Sequence, residues 1–216
     1  MKNTETSALG LALLVALVSA PAVAAEKSQD SKDTPVTFQA FAVNLDAANG
    51  AAAGPIDITI ERWSTAEERA TLHTALTSKG TDALLRALQD TKKRAGFIRG
   101  SRGGLGWDIQ YARKAPLPDG GYRVVIGTDR PMSFFERANH PRSADYEFLV
   151  AELRIGKDGQ GEGKLFPAAR VTFDEGENAI EIENYANQPV QLTKVTEVKS
   201  DKKEHEEKDK AAKKEK

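Results

Sequence analysis

The chain has 216 residues, contains no cysteine and carries a net charge of −1. The absence of cysteine excludes a disulfide, a thiolate nucleophile and a cysteine-based metal site. Residues 34–198 contain 20 basic and 22 acidic side chains, and a nearly neutral domain lacks the basic surface typical of nucleic-acid binding.

The N-terminus has the pattern of a secretory signal peptide. Residues 8–18 are apolar or small, and Val23-Ala24-Ala25 precede Glu26 as small residues precede a signal-peptidase cleavage site. The apolar run of about 11 residues is shorter than the roughly 20 that cross a bilayer, which argues against the alternative of an uncleaved anchor. We therefore expect residues 1–25 to be a signal peptide. The predicted location is periplasmic or extracellular, with no stable membrane anchor after cleavage.

Composition divides the remainder of the chain into three parts. Residues 26–33 contain no apolar side chain and predict a flexible leader, whereas residues 34–198 are long enough for one domain with its own core. Residues 199–216 are rich in Lys and Glu and have no apolar side chain larger than Ala, so a disordered tail is predicted there. A domain that is exported without disulfides is typical of bacteria.

Alternating apolar and polar residues predict strands through most of the domain, as in Ile56, Ile58 and Ile60. Turn sequences at 117–121, 157–161 and 174–178 are short, so the strands that they join must pair antiparallel. The predicted strands cover residues 36–44, 56–63, 97–99, 107–113, 122–128, 146–155, 164–173, 179–184 and 190–198.

One helical hairpin is predicted between the strands at 56–63 and 97–99. Ser64 and Glu67 have the spacing of a capping box, with Ser64 as the N-cap of the first helix. Gly80 is expected to end that helix, and Thr81 to start the second. The apolar positions at helical spacing are Leu72, Ala75 and Leu76 in the first helix, and Leu84, Ala87 and Leu88 in the second.

These elements predict an α+β fold. We expect an antiparallel β sandwich or open barrel of about eight or nine strands, with one inserted α-hairpin that covers a face or an end. A curled sheet would also protect the edge strands that a flat sheet exposes.

Several short stretches of the domain are similar to an uncharacterised family of small exported bacterial proteins. They are Ile60-Glu61-Arg62-Trp63-Ser64, Leu105-Gly106-Trp107-Asp108, Tyr111-Ala112-Arg113, Thr128-Asp129-Arg130-Pro131, Arg142-Ser143-Ala144-Asp145-Tyr146, Gly161-Glu162-Gly163-Lys164, Glu183-Asn184-Tyr185 and Gln188-Pro189-Val190. The resemblance covers nearly all of the domain and neither end of the chain. No activity, ligand or catalytic residue is attached to that family, so the resemblance carries no function over to this chain.

Two glycine-rich stretches have some features of phosphate-binding loops. Residues 100–106 lie between two predicted strands, whereas a phosphate loop leads into a helix N-terminus. Residues 159–164 lie in a predicted hairpin and are followed by Leu165, where magnesium binding needs Ser or Thr. No serine has the spacing of a nucleophile elbow. The sequence therefore predicts no catalytic residue and no cofactor.

Histidine spacing gives no metal-binding motif either, because His73, His140 and His205 are far apart along the chain. No metal is predicted. An alternative stays open at His140, the only histidine in a predicted loop of the domain, because acidic residues lie nearby in sequence. These neighbours are Asp129, Glu136 and Asp145.

Arginine is concentrated between residues 94 and 142, which hold eight of them together with several aromatic residues. Arginine binds carboxylate and phosphate groups in a bidentate manner and stacks on aromatic rings, so this stretch suggests a surface for an anionic ligand or partner. The alternative is that these arginines pair with Asp and Glu on an exposed sheet face. Within the stretch, Pro131 and Pro141 predict a long connection between strands, and such connections often carry function. The candidate contact residues are Asp129, Arg130, His140 and Arg142.

Two functions fit this sequence. The first is a non-catalytic exported binding or envelope-associated protein, with a protein, an envelope component or a small anionic ligand as its partner. The alternative is an exported hydrolase with a site near residues 129–145. Convergence of the four candidate residues in one pocket would favour the hydrolase.

Overall fold

The computed structural model describes residues 34–45, 52–100, 106–131, 145–186 and 188–198. The predicted signal peptide, leader and tail lie outside the described residues. The elements are, in chain order, β1 (Val36–Asn44), β2 (Ala52–Ile60), α1 (Ala66–Lys79), α2 (Thr81–Gln89), β3 (Gly96–Gly100), β4 (Trp107–Ile109), β5 (Tyr111–Pro116), β6 (Tyr122–Gly127), β7 (Phe148–Ile155), β8 (Gln160–Asp174), β9 (Ala179–Asn184) and β10 (Val190–Val198).

The strands form one antiparallel sheet in the order β4-β3-β2-β1-β10-β8-β7-β6-β5, with β9 paired to β8 outside this path. The sheet curls into a nearly closed barrel, and the two helices form a pair, so the predicted α+β class is confirmed. The described residues contain ten strands, where eight or nine were expected. The reason is that the predicted strand at 107–113 is divided at Gln110 into β4 and β5.

Gln110 joins the two ends of the sheet. β4 pairs with β3 and β5 pairs with β6, so the chain bends from one end of the sheet to the other between Ile109 and Tyr111. The Gln110 amide donates to Gly127 O at 3.0 Å. The two end strands of the sheet are thus consecutive in the chain, which brings the ends of the nearly closed barrel together although β4 and β5 do not pair with each other.

The barrel interior is filled by the inward side chains of the alternating strands. Along β1, Val36, Phe38 and Ala40 are buried, and the residues between them face solvent or are half-buried. Phe38 lies opposite Ile58 of β2, and Ile58 lies opposite Ile98 of β3; all three are fully buried. Cross-strand neighbours share a face of the sheet, so this row forms one continuous layer of the core.

The first helix begins one residue later than predicted. Thr65, not Ser64, is the N-cap: its Oγ1 accepts from the Glu68 amide at 3.2 Å, and the Glu68 carboxylate accepts from the Thr65 amide at 2.9 Å. Ser64 is buried, and its Oγ accepts from the Ala112 amide at 3.1 Å. The capping box thus consists of Thr65 and Glu68, because the Ser64 hydroxyl is already hydrogen-bonded to the Ala112 amide of β5. Gly80 ends α1 with a φ of 76° and precedes Thr81, as predicted.

The helices pack on the outside of the barrel and form a second apolar cluster. Leu76, Leu84 and Leu88 belong to one buried cluster with Phe148 and Val150 of β7 and Val171 of β8. The first half of β7 is therefore buried on both faces, because its intervening residues face the barrel interior. This explains why its first four residues, 148–151, form a continuous apolar run.

Several predicted strand bounds are wrong. β2 covers Ala52–Ile60 instead of 56–63, and β5 continues to Pro116 instead of ending at 113. β8 begins at Gln160, four residues before the expected 164, and it includes Gly161 and Gly163. A Cβ at Gly163 would lie 2.5 Å from Glu152 O of β7, so the backbones approach too closely for a side chain. β7 begins at Phe148, not at 146. Tyr146 lies outside the strand because its hydroxyl reaches Glu183 on β9.

Candidate functional site

The predicted contact region begins directly after β6, at a corner held by Thr128. Thr128 is fully buried, and its Oγ1 accepts from the Leu149 amide at 3.1 Å and donates to Arg130 O at 2.5 Å. The Thr128 amide also donates to Leu149 O at 3.0 Å. These bonds fix the backbone of residues 128–130 against β7.

Asp129 and Arg130 lie at the barrel rim formed by this corner. Arg130 is exposed, and its guanidinium Nη2 donates to Gly106 O at 3.1 Å, close to the start of β4. Asp129 is half-buried. The corner therefore places a cation beside the chain that enters β4. We call Thr128, Asp129, Arg130 and Gly106 the rim site.

The other two predicted contact residues, His140 and Arg142, lie outside the described residues, as do Phe134 and Phe135. Their approach to the rim site is therefore a prediction. The connection that contains them re-enters the described chain at Asp145 and Tyr146.

Tyr146 holds this second end of the connection. Its hydroxyl donates to Glu183 Oε1 at 2.6 Å, and its ring meets the Tyr185 ring edge-on with centroids 5.2 Å apart. Two effects raise the pKa of Tyr146: the larger is the hydrogen bond to Glu183, and the smaller is partial burial. Arg170 lies opposite Glu183 across the β8–β9 pair. Both described ends of the connection, at residues 128–130 and at Tyr146, are thus attached to the barrel.

Sequence reasoning did not predict the roles of Thr128, Tyr146 or Glu183. Thr128 ends an ordinary strand pattern, and no sequence signal marks a hydroxyl that joins two strands. The alternation of apolar and acidic residues in β9 predicts only a solvent-facing position for Glu183.

Next to Tyr146, the environment of the Glu147 carboxyl disfavours its ionised form. Partial burial raises its pKa, and the nearby carboxylates of Asp82 and Asp145 raise it further. A carboxyl whose pKa is raised on folding binds its proton more tightly in the folded chain. Its ionised form therefore lowers stability above the pKa of the unfolded chain, which is about 4.3.

Replacing Glu147 by Gln should raise the melting temperature at pH 7. We expect a gain of about 1–2 °C, kept small because a partly exposed charge is screened by solvent. The gain should vanish near pH 3, where the carboxyl is protonated in both states. Glu175→Gln, in the exposed turn between β8 and β9, is the control. It should leave the melting temperature unchanged both at pH 7 and near pH 3. An equal gain at both pH values would contradict the electrostatic explanation.

Several arginines of the Arg-rich stretch have structural partners. Arg94 binds both carboxylate oxygens of Glu61 at 3.0 Å and Asp108 at 2.8 Å, and these bonds raise its pKa. The guanidinium groups of Arg94 and Arg99 lie 5.0 and 4.4 Å from the centroid of the Phe97 ring. For Arg94, pairing with acidic residues on the sheet face is therefore confirmed. Arg130 also has a structural contact, since its guanidinium donates to Gly106 O at the rim.

The two helices leave an open groove on their outer side. It has a volume of about 670 Å³ and is lined mainly by small residues of α1 and α2, with basic residues at its margin. These include Ala70, Ala75, Ala83, Ala87, Lys79 and Arg86.

Metal-binding groups are not assembled in the described ranges. Within them, no three His, Asp or Glu side chains lie close enough to hold an ion. His73 is exposed on α1 and meets the Phe173 ring edge-on at 6.3 Å. Neither described helix is long and apolar enough to cross a membrane.

Comparisons of the chain with known protein families, with curated proteins and with solved structures gave no match. The resemblance to a family of exported bacterial proteins therefore stays a prediction.

Proposed function

We propose that the chain is a non-catalytic binding protein of the bacterial periplasm or cell envelope, which recognises an anionic group at the rim site. The observation that carries this proposal is the fixed corner at Thr128, because it orders the backbone of Asp129 and Arg130 before any ligand arrives. Ordering a contact residue in advance lowers the entropy cost of binding.

The chemistry of Arg130 supports an anionic ligand. A guanidinium is planar and permanently charged, and it matches the geometry of a carboxylate or a phosphate. Arg130 is exposed at the barrel rim, where a ligand in solution can reach it. Export is supported by the apolar segment 8–18 and the small residues before Glu26.

Capture from solubilised bacterial envelopes tests this proposal. The purified chain is immobilised, and the bound material is quantified for the wild type and for Arg130→Ala. We expect Arg130→Ala to lower the captured amount roughly tenfold, since a charged hydrogen bond is worth about 1.5–3 kcal/mol.

A separate measurement tests export. The intact mass of the chain recovered from the periplasm should correspond to a protein whose first residue is Glu26, give or take one or two residues.

Arg86→Ala is the matched control because Arg86 is an exposed arginine beside the helical groove. Capture should be unchanged in this variant. Loss of capture with Arg86→Ala and none with Arg130→Ala would place recognition on the helices and contradict the proposal.

A further inference from the structure

The end of β8 and the whole of β9 form a hairpin that extends past the barrel. β8 pairs with β10 within residues 160–165 and with β7 at residues 161–166 and 169. Its last residues, 169–174, pair with β9. β9 pairs with β8 alone, so within the described ranges its other edge has no strand beside it. The edge of β9 is thus a place where another strand can be added.

The register shows which backbone groups point outward. The Tyr185 amide donates to Ala168 O at 2.9 Å, which makes these two residues a hydrogen-bonded pair. Such pairs alternate along an antiparallel ladder, so the N–H and C=O groups of Ile180 and Ile182 point away from β8. These are the donors and acceptors that an added strand would use.

The side chains of the same two residues form an apolar surface. Ile180 and Ile182 are 38% and 42% exposed. They lie opposite Phe173 and Val171 of β8, and therefore on the same face of the hairpin. The helices cover Val171 but leave the isoleucines exposed. A partner strand that brings apolar side chains to this face would bury them.

Charge decides which strand fits. Residues 171–193 contain no Lys or Arg and five acidic residues, two of which, Glu181 and Glu183, lie on the polar face of β9. A second copy paired with Ile180 opposite Ile182 would bring Glu181 against its own counterpart, and like charges directly opposite are destabilising. The Lys-rich residues 199–216 contain no large apolar side chain to cover the isoleucines.

We propose that β9 is a docking strand for an extended segment of a partner protein in which apolar and basic residues alternate. The segment adds to the sheet by backbone hydrogen bonds to Ile180 and Ile182. Its apolar side chains cover the isoleucines, and its basic side chains lie beside Glu181. This surface is on a different element from the rim site, so the proposal holds with or without anion recognition by Arg130.

A synthetic peptide of eight alternating Val and Lys residues, blocked at both ends, is the probe. Its binding to the full chain is followed by fluorescence anisotropy, and its position by NMR shifts of the amides of β9. Replacing both Ile180 and Ile182 by Thr keeps β-branched side chains but removes apolar surface, and should weaken binding at least about tenfold. Glu181→Gln should weaken it about threefold at low salt.

Phe41→Thr is the matched control. Phe41 is also an exposed apolar residue, but β1 is paired along both edges, so this variant should bind as the wild type does. Arg130→Ala should likewise bind normally, which separates this surface from the rim site. A peptide of alternating Val and Glu should bind the wild-type chain at least about tenfold more weakly than the peptide of alternating Val and Lys does.

Four results would overturn the proposal. The first is equal affinity in the Ile180/Ile182 double variant, and the second is an equal loss in Phe41→Thr. The third is a wild-type dimer, detected by sedimentation, that dissociates in the double variant, because β9 would then bind a second copy. The fourth is binding that appears only after deletion of residues 199–216, because the tail would then be the occupant.

Discussion

Replacing Phe38 by Ala is expected to lower the free energy of unfolding by about 3–5 kcal/mol. Phe38 is fully buried and lies in one row of the barrel core with Ile58 and Ile98. Truncation removes the apolar contacts of the ring and leaves a cavity that neighbouring strands on both sides prevent from collapsing. The loss is a large part of the 5–15 kcal/mol that stabilises a typical domain, and urea denaturation measures it.

Phe41→Ala on the same strand provides the control for this prediction. Phe41 is 41% exposed and faces outward from β1. Its truncation should cost about 1 kcal/mol or less, because little apolar surface returns to water. Similar losses of stability in Phe38→Ala and Phe41→Ala would contradict the placement of Phe38 on the inward face and Phe41 on the outward face of β1.

Replacing Thr128 by Val should lower the free energy of unfolding by about 2–3 kcal/mol. The shape of the side chain is kept, but the Leu149 amide and the Arg130 carbonyl lose the hydroxyl that they bind. Unsatisfied polar groups in a buried corner retain their full desolvation cost. Urea denaturation gives the stability loss, and amide hydrogen exchange at Leu149 should become faster.

Thr128→Ser separates the hydroxyl from the methyl group. The serine variant keeps the hydrogen bonds and should lose only about 1 kcal/mol, the contribution of one buried methyl group. A loss in the serine variant as large as that in the valine variant would show that packing, and not hydrogen bonding, holds the corner.

The fold was predictable where local pattern and burial agree. The bounds of β1, β9 and β10 match the predicted ranges, and Gly80 separates the helices as expected. The choice between Ser64 and Thr65 as N-cap was not predictable. Both residues can cap a helix, and each has a Glu three residues later. Only the buried hydrogen bond between Ser64 and Ala112 decides that Thr65 is the N-cap.

Side-chain alternation predicts which residues share a face but not whether that face is covered. In β9, Ile180 and Ile182 alternate with Glu181 and Glu183 in the same way as the isoleucines of β2 alternate with polar residues. The β2 residues Ile58 and Ile60 are fully buried, whereas those of β9 are exposed. Ile58 and Ile60 face the barrel interior, whereas β9 lies off the path of the barrel strands, so the difference is a tertiary property.

The rim site was predictable only as a region. The two prolines and the cluster of arginines identify the connection after β6, and Arg130 is exposed at the rim as a contact residue must be. The arrangement that holds Arg130 depends on Thr128, Leu149 and Gly106, which are distant in sequence or chemically ordinary. Contacts of this kind carry no local sequence signal.

The pairing of β1 with β10 has a consequence for the order of folding. Thr37 lies opposite Val198, so the first strand of the barrel finds one of its two neighbours only at the far end of the domain. Contacts between such distant residues require the closure of a long loop, which slows folding to the range of milliseconds to seconds. Until Val190–Val198 has left the ribosome or crossed a membrane, β1 and β8 both retain an unpaired edge. A chaperone that shields exposed strands would act during this interval.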